Sequence, residues 1–228
     1  MSAHYYDADG NLVPPWTPDA YPSVSTILDR VKSDEYDALV RRLGQEDADK
    51  LMSVAAERGT RIHAATHEYE VGNPNYRAYL EDGEDGYVQG YLNWREEQQP
   101  KLVASELFVT SEKHGYRGRL DRVFILSDGN YWIIDVKTGQ DNVRHGLQLK
   151  LYQQAYYEMT GIKARMGVLA LDAKLKCGYR NSRKPLGIQE YKEPWAPALA
   201  HINVFKWWAK KRPIKQPVDA DAIWKTNG

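Results

Sequence analysis

Apolar residues recur at helical spacing through roughly the first hundred positions of this chain and then switch to the alternation of strands. Ser23 or Ser25 is placed to cap a helix through about Lys32, and Asp34 to Leu43 and Glu46 to Glu57 carry helical periodicity. Gly59 is expected to break or re-cap the helix that bears His63, and residues 84–98 form another helix with Tyr87, Tyr91 and Trp94 on one side. Strands follow at Val103 to Thr110, Tyr116 to Leu126 and Tyr131 to Lys137, the last two separated by the turn signal Asp128-Gly129-Asn130. An amphipathic helix from about Val143 to Met159 then leads to the apolar run Met166 to Leu171, whose position after a helix predicts a crossover strand. Residues 177–192 read as a hairpin or mobile loop and Pro194 to Arg212 as a final helix, while the first twenty residues, with Pro14-Pro15, read as an extended arm. The pattern is that of an α/β protein with an αβββαβ core, a mixed sheet between helices, without internal repeat or long low-complexity linker.

Composition narrows the class. At 228 residues, with 42% hydrophobic content, 16 tyrosines and seven tryptophans, the chain has ample core for one large domain. No apolar run approaches the ~18 residues of a membrane span, and no basic segment followed by an apolar stretch marks secretion, so a cytoplasmic setting is expected. Cys177 is the sole cysteine, which excludes an intrachain disulfide and a four-cysteine iron–sulfur cluster carried by this chain. Thirty-one basic and 31 acidic residues give zero net charge, which argues against indiscriminate coating of nucleic acid. Acidic groups concentrate at Glu81 to Asp85, basic ones at Lys174 to Lys176, Arg180 to Lys184 and Lys206 to Lys215. Within the last, Lys206-Trp207-Trp208-Ala209-Lys210-Lys211-Arg212 reads either as rings that stack on unpaired bases or as a helix with inward tryptophans and solvated lysines.

The chemistry concentrates between Gly118 and Tyr152. In the strand Tyr131 to Lys137, alternation puts Tyr131, Ile133, Asp135 and Lys137 on one face and Trp132, Ile134 and Val136 on the other. A hairpin with the preceding strand brings Asp121 close to Asp135, and two carboxylates at one spot suit a hard divalent cation such as Mg²⁺ or Mn²⁺. Without a cation they would repel, and one would have to be protonated. A metal there would polarise a phosphoryl group and acidify a bound water, with Lys137 orienting that water or neutralising developing charge, which is the chemistry of phosphodiester hydrolysis. Gln148 and Tyr152, four residues apart, occupy one helix face.

At these residues the chain resembles the PD-(D/E)XK nuclease superfamily, and within it the RecB-like exonuclease branch. The matching motifs are Gly118-Arg119-Leu120-Asp121, Asp135-Val136-Lys137-Thr138, the Gln148 to Tyr152 helix, and an upstream Gly59-Thr60-Arg61-Ile62-His63, in the family's order. Pro22-Ser23-Val24-Ser25-Thr26-Ile27-Leu28 is similar to the opening of phage RecB-like nucleases and of the mitochondrial genome maintenance exonuclease, so the resemblance spans roughly residues 21–172. It implies a restriction-endonuclease-like fold in which His63, Asp121, Asp135 and the Val136 carbonyl hold metal and Lys137 is catalytic. Gln148 and Tyr152 would then hold the lysine or a substrate phosphate, and Glu106 would be an additional acidic residue of the catalytic site that ligates metal or positions water. The implied histidine ligand shifts the expected metal preference toward Mn²⁺. The organisation expected is an arm at 1–20 and a single nuclease domain at 21–228, with a helical part to residue 100, a catalytic core at 101–172 and a C-terminal hairpin and helix at 173–228. The function implied is a metal-dependent exonuclease on single-stranded DNA ends in bacterial or phage recombination, replication or repair, where proteins of those processes are the expected partners. The alternatives are a structure-specific endonuclease and a non-catalytic DNA-binding module.

Overall fold

The computed structural model describes residues 3–29, 34–139 and 142–211. Three short strands open the chain: β1 (Tyr5–Tyr6), β2 (Leu12–Val13) and β3 (Tyr21–Pro22), paired antiparallel in the order β2-β1-β3. The expected extended arm therefore folds back onto the domain. Tyr5 is buried, Ser23 N–H donates to the His4 carbonyl, and Arg117 Nη1 donates to the carbonyls of Tyr6 and Asp19. These contacts satisfy backbone groups that a free arm would leave to water.

The helical part comprises α1 (Val24–Leu28), α2 (Asp34–Leu43), α3 (Gln45–Glu70) and α4 (Asp85–Gln98). Ser23 caps α1 as expected, its Oγ accepting Thr26 N–H at 3.0 Å, but the helix stops at Leu28. The predicted continuation toward Lys32 reaches residues outside the described ones. The expected break at Gly59 does not occur: α3 runs unbroken through it, because one glycine costs only about 1 kcal/mol and Ala55, Ala56, Ala64 and Ala65 around it favour helix.

The main sheet follows, with β4 (Lys101–Ser111), β5 (Tyr116–Ile125) and β6 (Tyr131–Lys137) antiparallel in sequence. Helix α5 (Val143–Thr160) then carries the chain across the sheet to β7 (Arg165–Ala170), which pairs parallel to β6 with Asp135 opposite Val168. The crossover strand is where the pattern placed it. Residues 177–192 form no hairpin of their own; they end in β8 (Gln189–Tyr191), which adds antiparallel to β7 and completes the order β4-β5-β6-β7-β8. Helix α6 (Trp195–Lys211) closes the described chain.

This is a restriction-endonuclease-like α/β fold, a five-stranded mixed sheet between helical layers. The faces of β6 divide as alternation requires: Ile133 joins the core with Leu147, Leu151 and Tyr152 of α5, while Trp132, Ile134 and Val136 join Ile62 of α3 and Val88 and Trp94 of α4. On α6, Ala198, Ile202 and Phe205 pack inward and Trp207 is 62% exposed, so this tryptophan does not pack into the core. Arg212 lies outside the described residues. No helix among the described residues is long and apolar enough to cross a membrane.

Candidate active site

The site forms where the C-terminal end of β6 meets the middle of α3. The β5–β6 hairpin carries Asp121 to the backbone of β6, where its Oδ2 accepts Val136 N–H at 2.8 Å. Helix α3 presents His63 to the same spot, with Nε2 2.7 Å from the Val136 carbonyl oxygen and Nδ1 3.3 Å from Asp121 Oδ2. Both ring nitrogens thus face oxygen acceptors, an arrangement that a protonated imidazolium satisfies fully. Burial alone would lower the His63 pKa, but the Asp121 carboxylate outweighs it and raises it.

Glu106 reaches the cluster from β4 by an unusual backbone. Its φ is +52°, left-handed for a non-glycine residue, between the paired positions Ser105–Arg122 and Leu107–Leu120. Such strain is of order 1 kcal/mol or more and persists only where neighbours enforce it. Arg122, 0% exposed, is the enforcing neighbour: its Nη1 donates to Glu106 Oε1 at 3.0 Å and to the Asp121 carbonyl at 2.7 Å, and its Nη2 to Thr66 Oγ1 at 2.8 Å. His63, Glu106 and Asp121 each offer one ligand atom, all within 4.8 Å of one another.

Asp135 is 2% exposed on the opposite face of β6 from Val136. Lys137 Nζ pairs with its Oδ2 at 2.8 Å, while Oδ1 has no hydrogen-bond partner among the described residues. A buried acceptor left in this way costs free energy that a ligand would recover. Burial pushes the Asp135 carboxyl up to about 6, with Lys137 pulling it only part of the way back. The other carboxylate goes the opposite way: burial raises Asp121, but the adjacent His63 imidazolium holds it well below the usual carboxylate range. Two neighbouring carboxyls pushed apart by their surroundings characterise catalytic sites. The Lys137 ammonium is held above its ordinary value, since Asp135 and then Asp121 outweigh its burial.

On α5, Gln148 Nε2 lies 3.4 Å from the Tyr152 hydroxyl, and Tyr152 is packed into the core beside Gly118. A Cβ on Gly118 would sit 2.7 Å from Tyr152 Cε1, which is why the strand bearing Asp121 carries glycine three residues earlier. A cleft of about 630 Å³ leads from Met52 and Ala56 on α3 past Gly59 to His63, Glu106 and Lys137.

All eight residues picked from the sequence, His63, Glu106, Asp121, Asp135, Val136, Lys137, Gln148 and Tyr152, therefore lie at or around the end of β6. Arg122 was missed. Its signal is an arginine set in the apolar strand Leu120 to Ile125, where a cation needs buried partners. The donors fit a divalent cation: an imidazole nitrogen with carboxylate oxygens, beside a buried carboxylate that keeps an oxygen unpartnered among the described residues.

Fold and site together define a nuclease core of the restriction-endonuclease type. The chain belongs to the PD-(D/E)XK nuclease superfamily, whose sequence profile matches residues 25–217. Membership implies a divalent-metal-dependent nuclease with DNA as substrate. None of the curated proteins compared matches the chain. Among solved structures it is similar to one described as "Crystal structure of SSO0001", at 12% identity and a TM-score of 0.32, covering 65% of this chain and 74% of that one.

Proposed function

We propose that this nuclease belongs to the RecB-like branch and degrades single-stranded DNA from an end, in recombination, replication or repair. The observation that carries the catalytic assignment is the buried Asp135, paired with Lys137 Nζ at 2.8 Å, next to a His63–Asp121 pair at 3.3 Å. His63, Asp121, Asp135 and the Val136 carbonyl, with Glu106, would hold Mg²⁺ or Mn²⁺. When bound, the metal supplies positive charge against the phosphoryl oxygens and a more acidic water. Lys137, kept protonated by its two carboxylates, supplies a fixed positive charge for the pentavalent transition state and is poorly suited to accept a proton from water. Gln148 and Tyr152 orient the lysine from the side of α5. The single-strand, end-directed part of the reading rests on the resemblance of these motifs to the RecB-like exonucleases, and the small residues Ala55, Ala56, Gly59 and Ala64 in the cleft lining leave room for a sugar–phosphate backbone.

The test uses end-labelled linear and circular single-stranded DNA with Mg²⁺ or Mn²⁺, with Lys137→Ala and EDTA controls. Metal-dependent loss of the linear strand alone, lowered at least about a hundredfold by the substitution, is expected. Cleaved circles would make the enzyme an endonuclease, and intact DNA throughout would leave a binding module.

Metal binding carries its own expectation. Asp135 holds a proton below about pH 6 in the metal-free protein, so binding there must displace it. The Kd for Mn²⁺, measured by titration calorimetry, is expected to rise at least about tenfold per pH unit below that point and to keep falling above it, because the raised pKa of His63 leaves a second proton for the metal to displace. A Kd that stays flat on the acid side would remove Asp135 from the ligand set.

A further inference from the structure

A second, smaller cavity, of about 260 Å³, opens on the α5 side of Lys137, and Ser25, Asn142, Arg144, His145 and Gln148 line it with that lysine. Among the described residues its lining contains no carboxylate. Lys137 is balanced by Asp135, but the half-buried Arg144 guanidinium has no hydrogen-bond or ion-pair partner among the described residues. Burial pulls the Arg144 pKa below its ordinary value, with Asp29 the acid that opposes. A guanidinium held partly out of water without a partner is energetically costly until an anion arrives, and its planar fork matches a phosphate.

The first amides of α5 do not make this site, because Asn142 already engages them: its Oδ1 accepts Arg144 N–H at 2.8 Å and its carbonyl accepts His145 N–H at 2.9 Å. Side chains carry it instead. Arg144 stands four residues before Gln148, as Gln148 stands four before Tyr152, so the three follow one face of α5. The other polar groups of the lining, the Ser25 hydroxyl and the Gln148 amide, can donate to the same oxygens.

From this geometry we infer that the Arg144 cavity seats a phosphate group of the substrate strand other than the one being cleaved. This rests on the nuclease reading and adds to it a fixed register: one phosphate held by Arg144 while a neighbour meets Lys137. The ligand chemistry is a nucleic-acid phosphate, which is either a terminal 5′-phosphate or an internal diester.

The experiment measures binding apart from cleavage. Full-length protein in EDTA is titrated into 3′-fluorescein-labelled single-stranded oligonucleotides that carry either a 5′-phosphate or a 5′-hydroxyl, across a salt series, with Arg144→Gln and Arg144→Lys. Circular dichroism verifies that both variants fold. Arg144→Gln is expected to weaken binding about tenfold and to flatten the plot of log affinity against log salt by ~0.7, while Arg144→Lys keeps most of the slope. A loss confined to the 5′-phosphate strand identifies a terminal phosphate, and an equal loss on both identifies an internal one. Unchanged affinity and slope in Arg144→Gln, or no binding by the wild type, overturns the proposal. Cleavage is scored separately in Mn²⁺. A wild type that binds through Arg144 without cutting sinks the nuclease reading and leaves the cavity standing, whereas a cutting enzyme indifferent to Arg144→Gln does the reverse.

Discussion

Asp135→Asn is expected to abolish DNA cleavage and, in the same protein, to raise the melting temperature measured in EDTA. The two effects share one cause. Asp135 is buried and its carboxyl titrates near 6, against an ordinary 3.8, because burial penalises its charged form. At neutral pH the folded chain therefore carries an ionised group that it disfavours relative to the unfolded chain. That penalty is present above about pH 6 and disappears as pH falls toward 4, the reverse of a salt-bridged carboxylate. A neutral asparagine removes it, an expected gain of about 2 kcal/mol or a few degrees for a domain of this size. The same change removes the acceptor that would meet the metal, and a cleavage loss of about a thousandfold, ~4 kcal/mol of transition-state stabilisation, is expected. Calorimetry in EDTA and a linear-strand digestion settle both halves. A lowered melting temperature would mean that Lys137 depends on this carboxylate more than the fold is strained by it, and retained cleavage would take Asp135 out of the mechanism.

The largest expected loss of stability comes from a position far from the chemistry in sequence. Helix α4 crosses the chain after β7 so closely that a Cβ on Gly90 would lie 2.0 Å from the Gly178 carbonyl oxygen and 2.4 Å from its carbon. Both atoms are backbone, so no side chain can rotate away. The same carbonyl accepts Asp172 N–H at 2.8 Å, and moving it breaks that bond as well. Gly90→Ala is expected to cost ~3 kcal/mol or more and to lower the melting temperature by roughly 6–10 °C. A shift within about 2 °C would show that the crossing relaxes freely. Cleavage should fall with it, because the displaced segment continues into Arg180, which lines a third cleft shared with Lys137.

What the sequence made legible was what local pattern dictates. The apolar strand ending in Asp135 and Lys137, the hairpin that brings Asp121 beside it and the Gln148–Tyr152 helix face depend on periodicities of two and 3.6 and on one turn, and the structure places them as those rules require. What was not legible depends on partners distant in sequence. Arg122 is explained in large part by Thr66, 56 residues upstream, and by Glu106. The left-handed backbone at Glu106 has no sequence signature, since glutamate has no preference for it. The N-terminal residues read as an arm because their prolines suggest extension, yet Thr26 Oγ1 and the His4 backbone bond each other across 22 residues and close the ribbon. Gly59 misleads in the other direction: a glycine reads as punctuation, but the surrounding alanines carry the helix through.

Helix α3 has one further mechanical property. Its second half is clamped, with Ile62, Ala65 and Thr66 buried and Arg122 bonded to Thr66, whereas from Gln45 to Val54 every residue but Ala48 is exposed. The helix is a cantilever, fixed at the root, whose outer span of about 21 Å from Gln45 to Gly59 is tied to α2, where the Tyr36 hydroxyl donates to Asp49 and accepts from Gln45. His63 sits at the root and Met52 well out along the beam, roughly 16 Å away. A tilt of ~5° about the root carries Met52 through about 1.4 Å and leaves the histidine almost where it was. A tilt of the outer span together with α2 would therefore widen or narrow the mouth of the cleft at fixed spacing of the groups on β5 and β6.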